Sequence, residues 1–196
     1  MITNGYATLD EFKSYRLGID SQDSDDDEVI ENCIEAASRY TDRATGRTFY
    51  ARTETHYFDV PVGSRLLILD DDLLVVATLK NGSGETITTA HYDLVPKNKP
   101  PYYAVKIKQS SSLYWSVSSA GDSEDVISLA GTWGYSTTAP DDIQALTLEL
   151  ANNLYTRRTG QSSEGVASIT AAGVVLRPAD VPGWARDVLT YYRRRI

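Results

Sequence analysis

The side chains able to do chemistry in this 196-residue sequence form a few small groups: an acidic run near the front, a triple aspartate, two histidines, one cysteine and a terminal arginine run. Asp23, Asp25 and Asp27 alternate like the first ligands of a calcium loop, but such a loop needs glycine at its sixth position and a bidentate glutamate at its twelfth. Counted from Asp23, those positions hold Glu28 and Ile34. The run therefore reads as solvated charge ahead of a helix, whose N-terminus favours anions. Asp70-Asp71-Asp72 lies between two apolar runs and reads as a polar turn rather than a metal site. His56 and His91 sit in strand patterns, flanked by Thr55 and Tyr57 and by Ala90 and Tyr92. Histidine is the commonest general base, yet no Gly-x-Ser-x-Gly elbow accompanies them, and structural histidines are expected. Cys33 falls on an apolar helix face, which predicts a buried thiol. Gly82-Ser83-Gly84 would need its third glycine at Ile87 and a helix opening there to cradle phosphate, so it reads as a turn. No catalytic set assembles: the expectation is a protein that is not an enzyme, with no metal and no cofactor.

The elements that must position these groups follow from periodicity and punctuation. Thr8-Leu9-Asp10-Glu11 is a capping box, predicting a short helix that ends near Leu17-Gly18. Val29, Ile30, Cys33, Ile34, Ala37, Tyr40 and Ala44 recur at helical spacing, with Asp25 to Glu28 at the start and Thr45-Gly46 at the stop. From Thr53 to Thr132 short β-rich runs take over: Thr53–Val60, Arg65–Leu69, Leu73–Leu79, Glu85–Thr88, Tyr92–Val95, Tyr102–Lys108, Leu113–Val117 and Val126–Ala130. Asn81-Gly82, residues that tolerate positive φ, marks a hairpin turn, and Pro96 and Pro100-Pro101 exclude helix there. Helix returns at Pro140, with Ile143, Leu146, Leu150 and Leu154 on one face until Arg157-Arg158-Thr159-Gly160. Gln161 to Gly173, rich in Ser, Gly and Ala, reads as a mobile loop or a segment ordered by a partner. A last helix from about Pro182 carries a stripe of Trp184, Val188, Leu189 and Tyr192, and arginines follow where cations suit the helix dipole. The fold class expected is α+β: a helical bundle framework of four helices with a central antiparallel β insertion. One domain is expected over 1–196, with helical N-terminal residues 1–52, a β-rich insertion 53–132 and helical C-terminal residues 140–196 ending in a basic arm.

Composition narrows the function. Apolar residues make up 41% and charged residues 23%, the usage of a folded globular protein. No stretch approaches the roughly 18 apolar residues of a membrane helix, and Met1 to Tyr15 lacks the segments of a signal peptide, so residence in a cytoplasm is expected. The formal net charge of -8 is uneven: Asp20 to Glu35 is crowded with acid, whereas the chain closes on Arg193, Arg194, Arg195 and Ile196. An acidic body repels phosphate, which excludes wrapping nucleic acid by counterion release. The 13 tyrosines and 3 tryptophans suit either packing, as at Trp133, Tyr135 and Tyr155, or a contact surface, as at Trp184, Tyr191 and Tyr192.

The order of motifs is distinctive. Asp27-Glu28-Val29-Ile30-Glu31-Asn32-Cys33-Ile34-Glu35-Ala36-Ala37-Ser38-Arg39-Tyr40, running to Thr45-Gly46-Arg47, resembles the opening of phage head-to-tail connector (head completion, neck adaptor) proteins. Gly131-Thr132-Trp133-Gly134-Tyr135 followed by Pro140-Asp141-Asp142-Ile143-Gln144-Ala145 is similar to their junction into a long helix. The resemblance implies a structural virion protein of the neck, built in the host cytoplasm as a ring of copies, dodecameric in the virion, between portal and tail. Its implied partners are itself, the portal protein, and a stopper or tail-completion protein, with DNA passing unbound and no membrane. The portal contact is expected at Trp184, Tyr191, Tyr192, Arg193, Arg194, Arg195 and Ile196, since aromatics and Arg dominate interfaces. Asp23, Asp25, Asp26 and Asp27 are the channel-facing acidic set, where like charge lets DNA slide. The alternatives are another neck or tail-completion protein, and a carbohydrate-binding β module.

Overall fold

The computed structural model describes residues 2–16, 24–159, 169–170, 173–174 and 183–194. The chain divides into two compact units, one of residues 1–46 and 139–196 and the other of residues 47–138. Four helices and a five-stranded antiparallel sheet make the architecture α+β.

In the helical unit, α1 (Leu9–Tyr15) opens on the anticipated capping box: Glu11 N donates to Thr8 Oγ1 at 3.2 Å and Thr8 N to Glu11 Oε2 at 2.7 Å. The cap is reciprocal, so two otherwise unmatched N–H groups are satisfied at once. Helix α2 (Asp27–Thr45) closes on Gly46 at φ 66, whose N–H reaches Asp42 O at 2.7 Å. Its inward face runs Ile30, Cys33, Ile34, Ala37, Ser38, Thr41 and Thr45. The lower half of that face is therefore hydroxylic, and the expected Tyr40 is exposed instead. Burial is tolerated because Ser38, Thr41 and Thr45 return their hydroxyls to the carbonyls of Ile34, Ala37 and Thr41 at 2.8, 3.0 and 2.8 Å.

Helix α3 (Asp141–Arg158) buries Ile143, Leu146, Thr147, Ala151 and Tyr155. The predicted stripe drifts off this face at Leu154, which is exposed. Steps of four residues hold the true line, Ile143-Thr147-Ala151-Tyr155. Phe12 meets the Tyr155 ring edge-on at 5.8 Å, and with Ile30, Ile34 and Ala37 they form this unit's core. Helix α4 (Gly183–Tyr192) buries Ala185 and Tyr192, so its inward line is one residue displaced from the predicted Trp184. Of the segment from Gln161 to Gly173, most lies outside the described residues. What is described there is a small antiparallel pair, β6 (Ile169–Thr170) with β7 (Gly173–Val174).

The second unit is a sheet in the order β1-β5-β2-β4-β3, from β1 (Arg52–Phe58), β2 (Leu66–Lys80), β3 (Tyr92–Val95), β4 (Tyr102–Ile107) and β5 (Ile127–Trp133). Strand β2 serves both halves: Leu66 to Ile68 pair with β4, and Leu73 to Lys80 with β5. The polar turn expected at Asp70-Asp71-Asp72 instead belongs to this single strand, which shifts register between Ile68 and Leu73. Carboxylates persist in mid-strand because each meets a cationic or imidazole partner. Arg47 binds Asp72 at 2.5 Å, Arg52 binds Asp71, and the His56 ring lies 2.8 Å from Asp70.

Two other predicted strands are corrected. Glu85–Thr88 contributes one isolated bridge, Lys80 to Thr86. Leu113–Val117 is a loop, held down by Trp115 Nε1 donating to Arg65 O at 3.0 Å. The turn after β2 forms where Asn81-Gly82 placed it, but the left-handed residue is Gly84 at φ 83. The Gly131 and Gly134 of the sequence motif are spacing devices. A Cβ on Gly131 would stand 2.4 Å from Val75 O, and one on Gly134, at φ 130, 2.3 Å from Tyr50 O. Leu67, Leu69, Leu73, Leu79, Ile107, Ile127, Leu129 and Trp133 fill the core on this face.

Candidate functional site

Helix α4 presents the aromatic groups singled out for partner contact, and its own packing sorts them. Ala185, Val188, Leu189 and Tyr192 follow helical spacing toward the unit. Tyr192 is 8% exposed and donates its hydroxyl to Asp142 Oδ1 at 2.9 Å. Just beyond the helix the chain is tied again, by Arg194 N donating to Thr45 O at 2.8 Å at the C-terminal end of α2. Trp184 and Tyr191, seven residues apart and so about 10 Å along the helix, are 45% and 76% exposed. Tyr191 also meets the Tyr192 ring edge-on at 5.0 Å. Thus Tyr192 anchors the helix, while Trp184, Tyr191 and the exposed Arg193 are displayed. Arg195 and Ile196 lie outside the described residues.

The acidic set is likewise divided. Asp23 lies outside the described residues. Asp25 and Asp26 are exposed, and Tyr155 donates its hydroxyl to Asp26 Oδ2 at 2.6 Å. Asp27 pairs at 2.5 Å with Lys13, a lysine buried to 5% exposure. This ion pair joins α1 to the first turn of α2, so some of the negative run is engaged in packing. Asp26, the N-cap, makes no side-chain capping bond. The charge of this stretch therefore acts on the helix through its field rather than a cap.

The residues with catalytic potential occupy structural roles. His56 stacks on Trp133 with centroids 3.8 Å apart and has Asp70 and Glu54 oxygens at 2.8 and 3.2 Å. The hydrogen bond from Arg52 holds the Glu54 carboxyl below its ordinary pKa. His91 Nδ1 lies 3.0 Å from Ser111 Oγ, but that oxygen also accepts from Leu113 N, which makes the pair a loop brace. Cys33 is buried, and burial pushes its thiol above the usual value, against the opposing effect of Arg158. Among the described residues no group of three or more His, Cys, Asp or Glu is placed to hold a metal ion. Among them, too, no helix is long and apolar enough to cross a membrane.

A family model described as phage gp6-like head-tail connector protein matches residues 6–94. Over that span, somewhat under half of its length, the chain is similar to phage gp6-like head-tail connector proteins. The matched region takes in α1, α2, β1, β2 and nearly all of β3, and so contains the Asp27-to-Arg47 stretch that carries the sequence resemblance. Solved structures extend the likeness of fold to the rest. The neck of an empty GTA particle computed with C6 symmetry aligns at a TM-score of 0.59 and 16% identity, covering 96% of this chain and 90% of that one. The virion of a native gene transfer agent (GTA) particle gives 0.57 and 16%, covering 100% and 94%. The neck of a native GTA particle computed with C12 symmetry gives 0.56 and 13%, covering 100% and 97%. No curated protein matches the chain.

Sequence reasoning missed two features of the chain. The anchors Asp142 and Thr45 make no motif, because their partners Tyr192 and Arg194 are remote in sequence. The tip of the β1–β2 connection, where Val62 is 99% exposed, carries a readable signal: an apolar residue between Pro61 and Gly63 in a turn.

Proposed function

We propose that the chain is a structural subunit of the virion neck, an adaptor that forms a ring of copies between the portal and the tail, dodecameric in the virion. The observation that carries this reading is the construction of α4. Its inner line and the backbone beyond it are tied to α2 and α3, while Trp184 and Tyr191 stand out toward solvent. A helix fixed at its C-terminal end and aromatic on its outer line is pre-organised for docking, because little conformational freedom is lost on binding. In this reading the four helices act as a bundle framework with the sheet inserted as one segment. Trp184, Tyr191, Arg193 and the following Arg195 and Ile196 meet the portal, and Tyr192 and Arg194 hold the arm at its base. Asp25 and Asp26, with Asp23, face the channel and repel DNA in transit. A stopper or tail-completion protein binds the other side of the ring. Assembly takes place in the host cytoplasm, and no reaction is catalysed.

The test is binding of the portal protein by Trp184→Ala and Tyr191→Ala chains. As interface anchors, each contributes about 2 kcal/mol or more, roughly 30-fold in affinity. Unchanged portal binding by the double variant, with an unaltered melting curve, would remove α4 from the interface. Binding to a tail-completion protein with none to the portal would favour the neighbouring neck role.

A further inference from the structure

The segment from Asp59 to Arg65 joins β1 to β2 and is braced on both sides. Val60 N donates to Ser123 O at 2.8 Å, Asp125 N donates to Asp59 Oδ1 at 2.9 Å, and Arg65 donates to Lys108 O at 2.7 Å. Open grooves flank it, of about 550 Å³ and 570 Å³. The first has exposed Tyr57 and Ile68 on its walls together with the carboxylates of Asp59 and Asp125. The second has Tyr114, exposed and stacked under Arg65 at 4.1 Å, together with Lys106. One flank of the same connecting segment is thus apolar and negative, and the other is aromatic and positive.

We propose that these flanks are the two halves of a contact between copies of this chain, the acidic groove of one subunit receiving the basic groove of the next. The pairing commits to a second copy because the charges complement each other across one molecule. A contact between different patches also passes from subunit to subunit, as a ring requires, whereas a contact of one patch with itself stops at two. Asp125 adds to the case. It holds φ 52, the one positive φ on a non-glycine among the described residues, and its N–H bond to Asp59 keeps the acidic groove in a set shape. Charge pairs at such a contact choose partner and register, and the apolar groups between them exclude water.

The inference rests on the ring reading above, and the experiment separates the two. Native mass is measured for the wild type, for Lys106→Glu, for Asp125→Lys, and for an equimolar mixture of the two variants. The first variant sets a glutamate at position 106 against Asp125 of the next copy, and the second sets a lysine at position 125 against its Lys106, so each alone places like charges across the contact. We expect per-contact affinity to fall about tenfold or more in each and the mixture to reassemble, since unlike flanks then alternate. Rings from either variant alone, as readily as from wild type, would overturn the contact. So would a mixture that fails to assemble while both chains melt like wild type. A wild type that is monomeric at every concentration reached would overturn the ring reading itself, and this contact with it.

Discussion

Replacing Asn81 with alanine tests how the sheet unit is held together beyond its strands. Asn81 is 3% exposed. Its Nδ2 donates to Tyr114 O at 2.8 Å, and its Oδ1 accepts from Ser116 N at 2.8 Å and from Gly82 N at 3.1 Å. One side chain thus fastens the turn after β2 to the loop that carries Tyr114 and Trp115. Each of these bonds contributes about 1 kcal/mol net, and losing the carboxamide also leaves buried backbone groups unmatched, so about 3 kcal/mol is expected. For a cooperative unit the size of Arg47–Thr138, that corresponds to a fall of about 10–20 °C in Tm. Urea unfolding followed by tryptophan fluorescence reads the loss directly, because Trp115 and Trp133 both lie in this unit. The midpoint should drop with an unchanged slope. The neighbouring Ser83→Ala, at an exposed position, should stay within about 0.5 kcal/mol of wild type. If Asn81→Ala also stays within that margin, the buried carboxamide does not pin this loop.

Gly131→Ala should cost about 1–3 kcal/mol, because its Cβ would meet the backbone carbonyl of Val75, which no rotamer change relieves; wild-type urea stability would contradict this. Cys33 should react with a thiol reagent at pH 8 on the order of 100-fold more slowly in the folded than in the unfolded chain, and equal rates would show that the thiol is accessible. The hydrogen bond to Glu149, then burial, raise Tyr15 from 10.0 to about 12. The folded state holds that proton more tightly, so its contribution to stability is complete below pH 10.0 and is lost as pH rises toward 12. The difference between the alkaline absorbance titrations of wild type and Tyr15→Phe should show one tyrosinate near 12, and a transition near 10 would refute the contact.

Local chemistry made several elements legible without the fold. The capping box at Thr8, the Gly46 stop of α2 and the span of β3 depend on neighbours within a few residues, and there sequence reading and structure agree. Predicted side-chain faces fared less well, because an apolar pattern marks a helix without fixing its rotation to within one residue. Tyr40, Leu154 and Trp184 turned outward, while Thr41, Thr45, Thr147 and Ala185 took inward places. A threonine returning its hydroxyl to the carbonyl four residues back is as easily buried as an alanine, and nothing in its type announces which it will do.

The triple aspartate shows the same limit at longer range. In isolation Asp70-Asp71-Asp72 is a turn signal, since three adjacent carboxylates in a strand are costly to desolvate without partners. Arg47, Arg52 and His56, up to 25 positions away in sequence, supply those partners only once β1, β5 and β2 are side by side. The sequence by itself determined the four helices, the caps and the uneven charge, because each follows from the conformational preference or the sum of nearby residues. Only tertiary structure decided which aromatic of α4 anchors and which is displayed, and that acid and base would flank the one segment joining β1 to β2. Those outcomes depend on distances between residues remote in the chain, which local propensity does not encode.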